Sequence, residues 1–141
     1  MPGDTDPTRL VAAMDPVLHA ERHVFVSVAA LPDGLVPVAT IREAEGVSAV
    51  VTCTDADAHG LTGEFLCARI TLRVPSALEA VGFLAVITRA LADAGIGTNP
   101  VAGFHHDHLF VPWDRRDDAM AVLRELAQTG GSGSYWMPRR T

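Results

Sequence analysis

A chain of 141 residues, 48% hydrophobic and 20% charged, holds enough apolar surface for a packed core, which excludes a disordered polypeptide. Its formal charge of −6 argues against nucleic acid as a partner, because phosphate binding draws on clustered cations, and the use of arginine for all 11 basic residues reads as base composition. Cys53 and Cys67 lack CxxC spacing, Met1-Pro2-Gly3-Asp4 carries no apolar leader, and no apolar run reaches the ~20 residues of a membrane span; a cytoplasmic protein, off the membrane, is expected.

Residues 1–7 are rich in Pro, Gly and Asp and predict a frayed end. Residues 8–18 predict a short helix that stops near Asp15-Pro16. Residues 23–30 alternate, with Val24, Val26 and Val28 on one side and Phe25, Ser27 and Ala29 on the other, as a half-buried strand does. After the turn signal Pro32-Asp33-Gly34, residues 38–42 and 47–53 predict an antiparallel pair joined through Glu43-Ala44-Glu45-Gly46. A short helix over residues 54–60, capped by Thr54 or Asp55, follows.

In the second half Leu66, Ala68, Ile70, Leu72 and Val74 alternate with Cys67, Arg69, Thr71 and Arg73, giving one core face and one face toward water or a partner. Pro75 ends that strand. Ser76-Ala77-Leu78-Glu79 fits the S-x-x-E capping box and predicts a helix to about Ala94, stopped by Gly95. Leu78, Val81, Leu84, Ile87 and Leu91 carry its helical spacing. Gly82 inside that helix costs ~1 kcal/mol relative to Ala, which either tight packing or a closely approaching ligand justifies. Residues 98–104 and 108–113 predict a hairpin around His106-Asp107, and a second amphipathic helix then carries Met120, Leu123 and Leu126. Residues 130–134 read as a Gly/Ser linker, with Tyr135-Trp136-Met137 as an edge strand or an unstructured tail.

Strand, helix, strand, strand, helix is the order of a ferredoxin-like split βαβ unit, and the first half repeats it with its first helix missing or shrunken. The expected fold is therefore α+β, with antiparallel sheets covered by helices on one face. The expected modules are residues 1–62 (abbreviated) and 63–129, with 130–141 as linker and tail.

The cluster His105-His106-Asp107-His108 draws the eye. With His106-Asp107 as the turn, His105 and His108 oppose each other across the strands, their Cβ atoms ~5 Å apart. Two such imidazoles offer two metal ligands, with Asp107 or His106 as a candidate third, but no further ligand cluster accompanies them, so no metal is expected. The same register puts Ala102, Phe104, Leu109, Val111 and Trp113 on the core face. Val101, His105, His108 and Phe110 then share the open face with Arg69, Thr71 and Arg73, a mixture suited to an interface or a small polar ligand. Cys67 falls on that face too, where a nearby cation acidifies a thiol, although a plain interface residue is the simpler reading. The sequence contains no nucleophile elbow, phosphate loop, dinucleotide fingerprint or zinc-helix motif, and no cofactor is expected.

Residues 70–72, 76–82 and 89–96 (Arg89-Ala90-Leu91-Ala92-Asp93-Ala94-Gly95-Ile96) together resemble the ACT-domain pattern of strand, small-residue loop, Gly-containing helix and second strand. Residues 104–112 and Arg42-Glu43-Ala44-Glu45-Gly46 resemble a bacterial tandem-ACT family, and the resemblance spans roughly residues 8–128. It implies amino-acid binding at a module interface, near the loop after the first strand, and regulation of a partner enzyme. Carried onto this chain, the ligand residues become Ser76, Ala77, Leu78, Glu79, Gly82 and Asn99. That loop lacks the family's usual Asp and Gly, and Asn99, before Pro100, also fits a role in shaping the strand entrance.

Three functions follow for comparison: an amino-acid-binding regulator without catalytic activity of its own, a structural dimerisation module, and a small enzyme or metalloprotein using the His105–His108 cluster. A homodimer, or tight module-to-module packing, through the open face near Arg69, Arg73 and Phe110 is expected.

Overall fold

The computed structural model describes residues 3–130. The chain runs α1 (Pro7–Ala12), β1 (Pro16–Val28), β2 (Ala39–Glu43), β3 (Gly46–Thr52), α2 (Cys53–Ala58), β4 (Glu64–Leu72), α3 (Phe83–Asp93), β5 (Asn99–Ala102), β6 (Asp107–Pro112) and α4 (Arg116–Thr129), the last entered through a 3-10 turn at Trp113–Arg115. Its strands form one sheet in the order β2-β3-β1-β4-β6-β5, every neighbouring pair antiparallel. β1 and β4 lie side by side at the centre, and each leads outward to the two strands that follow it in sequence. The halves thus share one outline, joined at the β1–β4 seam into a continuous sheet.

Alternation sorts the side chains. Ala68, Ile70, Leu72, Leu109 and Val111 meet Leu10, Met14, Phe83, Ile87, Leu91, Met120 and Leu123 in the main core, beneath α1, α3 and α4. Val24, Val26, Ala49 and Val51 pack with Ala56 of α2 and with Leu35 and Leu61 in a second cluster. The opposite face carries none of the described helices; there Val50, Cys67 and Phe110 are buried among Phe25, Phe65, Val38 and Val101. Leu91 is fully buried in the main core, and Leu91→Ala is expected to cost about 2–5 kcal/mol of stability from lost burial plus a cavity. Urea unfolding checks this, and a midpoint equal to the parent's would show that the packing has been misassigned.

The N-terminal helix is shorter than expected. The Asp6 carboxylate accepts from the Thr8 amide and Pro7 opens the helix, which ends at Ala12; Pro16 is already the first strand residue. β1 takes in residues 16–22 because a bulge hides their alternation: Leu18 faces Ile70, but Arg22 is the next residue in register, facing Ala68. The end before α1 is pinned as well, since the Asp4 amide donates to the Pro75 carbonyl (3.1 Å) and the Ala77 amide to the Asp4 carbonyl (3.0 Å).

Those two bonds bear on a larger correction. Residues 76–81 form a loop, not a helix start: the Ala77 amide donates to the Asp4 carbonyl and the Ser76 hydroxyl to Asp107, 3.0 Å away, which ties the segment to the N-terminal stretch and to the start of β6 in place of a capping box. Leu78 and Val81 are 63% and 83% exposed instead of facing the core. α3 begins at Phe83, and Gly82 is its N-cap at φ +97°, not an interior residue. A Cβ there has room, the nearest atom being Pro7 Cγ at 3.8 Å, so the glycine answers a backbone need. Gly82→Ala is accordingly expected to destabilise by roughly 1–3 kcal/mol through strain alone. Thermal unfolding tests it, and an unchanged melting temperature would contradict the strain.

The second helix is capped two residues before Thr54, the earlier of the two expected caps, by the Thr52 hydroxyl accepting from the Asp55 amide. The expected edge strand at Tyr135-Trp136-Met137, and the linker beyond Gly130, lie outside the described residues.

Candidate functional site

The β5–β6 turn decides where the histidines go. Ala102 pairs with Asp107 and Val101 with His108, so the hairpin loop is residues 103–106 and not a two-residue turn. The Gly103 amide donates to the His106 carbonyl at 2.9 Å, and a Cβ on Gly103 would meet that oxygen at 2.8 Å, so glycine permits the close turn. His105 therefore sits in the exposed loop and does not oppose His108, which removes the expected cross-strand pair.

This hairpin and the loop over residues 75–82 enclose two neighbouring clefts. The larger, about 370 Å³, is lined by Gly3, Pro75, Leu78, Glu79, Phe104 and His105. The smaller, about 130 Å³, is lined by Gly82, Phe83, Leu84, Ala85, Ala102 and Asp107. Ser76, Ala77 and Leu78 belong to both. The larger cleft has an apolar rim, for Phe104 is 78% exposed and Leu78 stands opposite it.

The smaller cleft is polar in a specific way. Asp107, 7% exposed, accepts the Ser76 hydroxyl, and burial pushes its carboxyl above the ordinary value despite that bond and the nearby His106. Across the cleft the first turn of α3 has neither a side-chain cap nor an acidic residue; its first backbone bond runs from the Val86 amide to the Gly82 carbonyl, 3.1 Å. The preceding amides and the helix dipole thus present a positive end. Of the residues expected at a ligand site, the structure brings together Ser76, Ala77, Leu78, Glu79 and Gly82. It leaves out Asn99, exposed at the far end of β5 and lining neither cleft. Asp107 was legible only as a turn residue or third metal ligand, because its burial arises from a partner 31 positions away.

The helix-free sheet face carries a second polar group. Arg69 Nη2 lies 3.4 Å from His108 Nδ1, and since a guanidinium only donates, that nitrogen accepts. The Thr71 hydroxyl then donates to His108 Nδ1 (2.9 Å) and accepts from His19 Nε2 (2.8 Å). Burial, reinforced by Arg69, pushes His108 down to about 4 from 6.5, and His19 and His23 are lowered for the same first reason.

The folded-state values lie below the unfolded ones, so these histidines bind fewer protons when folded. Their contribution to stability is complete above about pH 6.5 and is lost as pH falls toward 4. Thermal unfolding across that window is expected to show a falling melting temperature, flattened in His108→Gln; an identical slope in the variant would contradict the assignment.

Three other expectations for this face are corrected. Phe110 is 0% exposed, packed edge-on against Phe25 with ring centres 5.6 Å apart, so it offers no contact surface. Arg73 lies past the end of β4 and pairs with Asp15 at 3.2 Å. Cys67 is not acidified by Arg69; burial pushes its thiol up to about 12, and it donates to the His23 carbonyl.

Models of the ACT domain match residues 2–68 and, separately, residues 64–125. A Vibrio cholerae protein of unknown function, described as a possible transport protein, is similar in structure with a TM-score of 0.77 and 39% identity, over 86% of this chain and 95% of that one. An Agobacterium tumefaciens protein is similar at TM-score 0.67 and 18% identity, over 79% of this chain and 87% of that one. The regulatory subunit of aspartate kinase from Thermus thermophilus, in its ligand-free form, shares the fold at TM-score 0.61 and 12% identity, over 81% of this chain and 97% of that one. Among curated proteins none matches the chain. No described helix is long and apolar enough to cross a membrane. With two matched modules in series on one α+β sheet, the chain belongs to the ACT-domain family as a tandem ACT protein.

Proposed function

We propose that the protein is a regulatory module without catalytic activity of its own, and that it binds an amino acid with an apolar side chain in the cleft between the 75–82 loop and the β5–β6 hairpin. ACT domains are typically regulatory, ligand-binding modules. The observation that carries the reading is the pairing of opposite charges in the smaller cleft, which Asp107 and the uncapped start of α3 both line. A buried carboxylate suits an α-ammonium, and free helix-start amides suit an α-carboxylate. The adjoining cavity takes the side chain against Leu78 and Phe104, while Glu79 on its wall disfavours acidic ones. Asn99 takes no part.

A thermal-shift screen against the common amino acids tests this, because a ligand that binds only the native state raises the melting temperature. Apolar amino acids are expected to raise it and Asp and Glu to leave it unchanged. Shifts from acidic amino acids alone would sink the proposed specificity.

A further inference from the structure

We infer a second binding site, for a small oxyanion such as a phosphate or carboxylate group, on the helix-free sheet face where Arg69, His19, Thr71 and His108 converge. Arg69 is half-buried and, among the described residues, forms no ion pair; its Nε is buried with no hydrogen-bond partner. Four other arginines, Arg9, Arg73, Arg89 and Arg115, each pair with an aspartate. A desolvated guanidinium with an unused donor is costly unless something completes it, and its planar fork matches an oxyanion.

The local backbone supports this reading. The bulge in β1 sets residues 19–21 against the stretch of β4 around Arg69 and brings His19 within 2.8 Å of the Thr71 hydroxyl. Bulges commonly re-aim a side chain beside a working site. His108 reaches the same hydroxyl from β6, so three adjacent strands contribute to one spot that no described helix covers. Glu21, exposed on β1, is the carboxylate whose charge reaches Arg69, His19 and His23, yet it pairs with none of them through its side chain. His23 lies beneath the group, buried against Phe110 with its Nδ1 donating to the Glu21 carbonyl. On a chain of net charge −6, a cation kept half-buried without a counter-ion is a local concentration of positive potential. The inference is independent of the cleft.

The test is an NMR titration of the imidazoles in chloride, repeated at equal ionic strength with sulfate and with formate. Sulfate keeps its charge throughout and stands for phosphate-like groups, while formate stands for carboxylates. An oxyanion bound beside the rings is expected to raise the His108 value by about one unit or more. Arg69→Gln should weaken binding by roughly tenfold or more, and Glu21→Gln should strengthen it. Asp107→Asn should leave it unchanged, which separates this site from the cleft. A response to sulfate alone assigns phosphate-like groups, and a response to formate alone assigns carboxylates. No response to either, or a response that survives Arg69→Gln, overturns the site. Where Arg69→Gln does not fold, Thr71→Val provides the same comparison.

Discussion

Phe110→Ala is expected to lower the free energy of unfolding by about 3–5 kcal/mol, because a fully buried aromatic ring is lost and its cavity cannot collapse between strands. The ring is the centre of the helix-free cluster, meeting Phe25 at 5.6 Å and His23 at 6.0 Å from ring centre to ring centre. It joins β6, in the second half, to β1, in the first, so the loss should loosen the seam between the ACT modules. Denaturant unfolding measures the loss directly. A variant as stable as the parent would mean that this face is a solvated surface and that the modules are held together by the helices alone.

Asp107→Asn is expected to weaken amino-acid binding by about 2–5 kcal/mol, the usual penalty for removing one partner of a buried charge pair. Folding should respond in the opposite sense. Asp107 has a folded-state value above its ordinary one, so the folded chain holds the proton more tightly; its contribution to stability is full below the ordinary carboxylate range and is lost as pH rises through the raised value. Wherever the carboxylate is ionised it is therefore a burden on the fold, and a neutral amide, whose oxygen still accepts from Ser76, relieves it. Stability equal to or above the parent's at neutral pH, together with weakened binding, is the combination expected. Equal losses of both would reduce Asp107 to a structural residue.

The sheet was legible because period-two patterns in β4 and β6 dictate faces unambiguously: Ile70, Leu72, Leu109 and Val111 went inward, as alternation requires. The hairpin between β2 and β3 was legible from its short polar turn. What sequence could not reveal was set by distant partners. Ser76-x-x-Glu79 has the residues of a capping box, but Ser76 is held by Asp107, Ala77 by Asp4, and the helix starts only at Phe83. Leu78 and Val81 have core spacing and are exposed because the helix starts after them. Residues 16–22 gave no strand signal because a bulge breaks the alternation that signals one. The same bulge sets His19 near Arg69, and His23 packs against Phe110, neighbours that lie far away in sequence.

Isothermal titration calorimetry of the intact protein with apolar amino acids tests the central claim most directly. Saturable binding is expected, at about one ligand per chain for a single cleft, weakened in Asp107→Asn and preserved in Asn99→Ala. Absence of heat with every amino acid at millimolar concentration, or binding that Asp107→Asn leaves untouched, would contradict it.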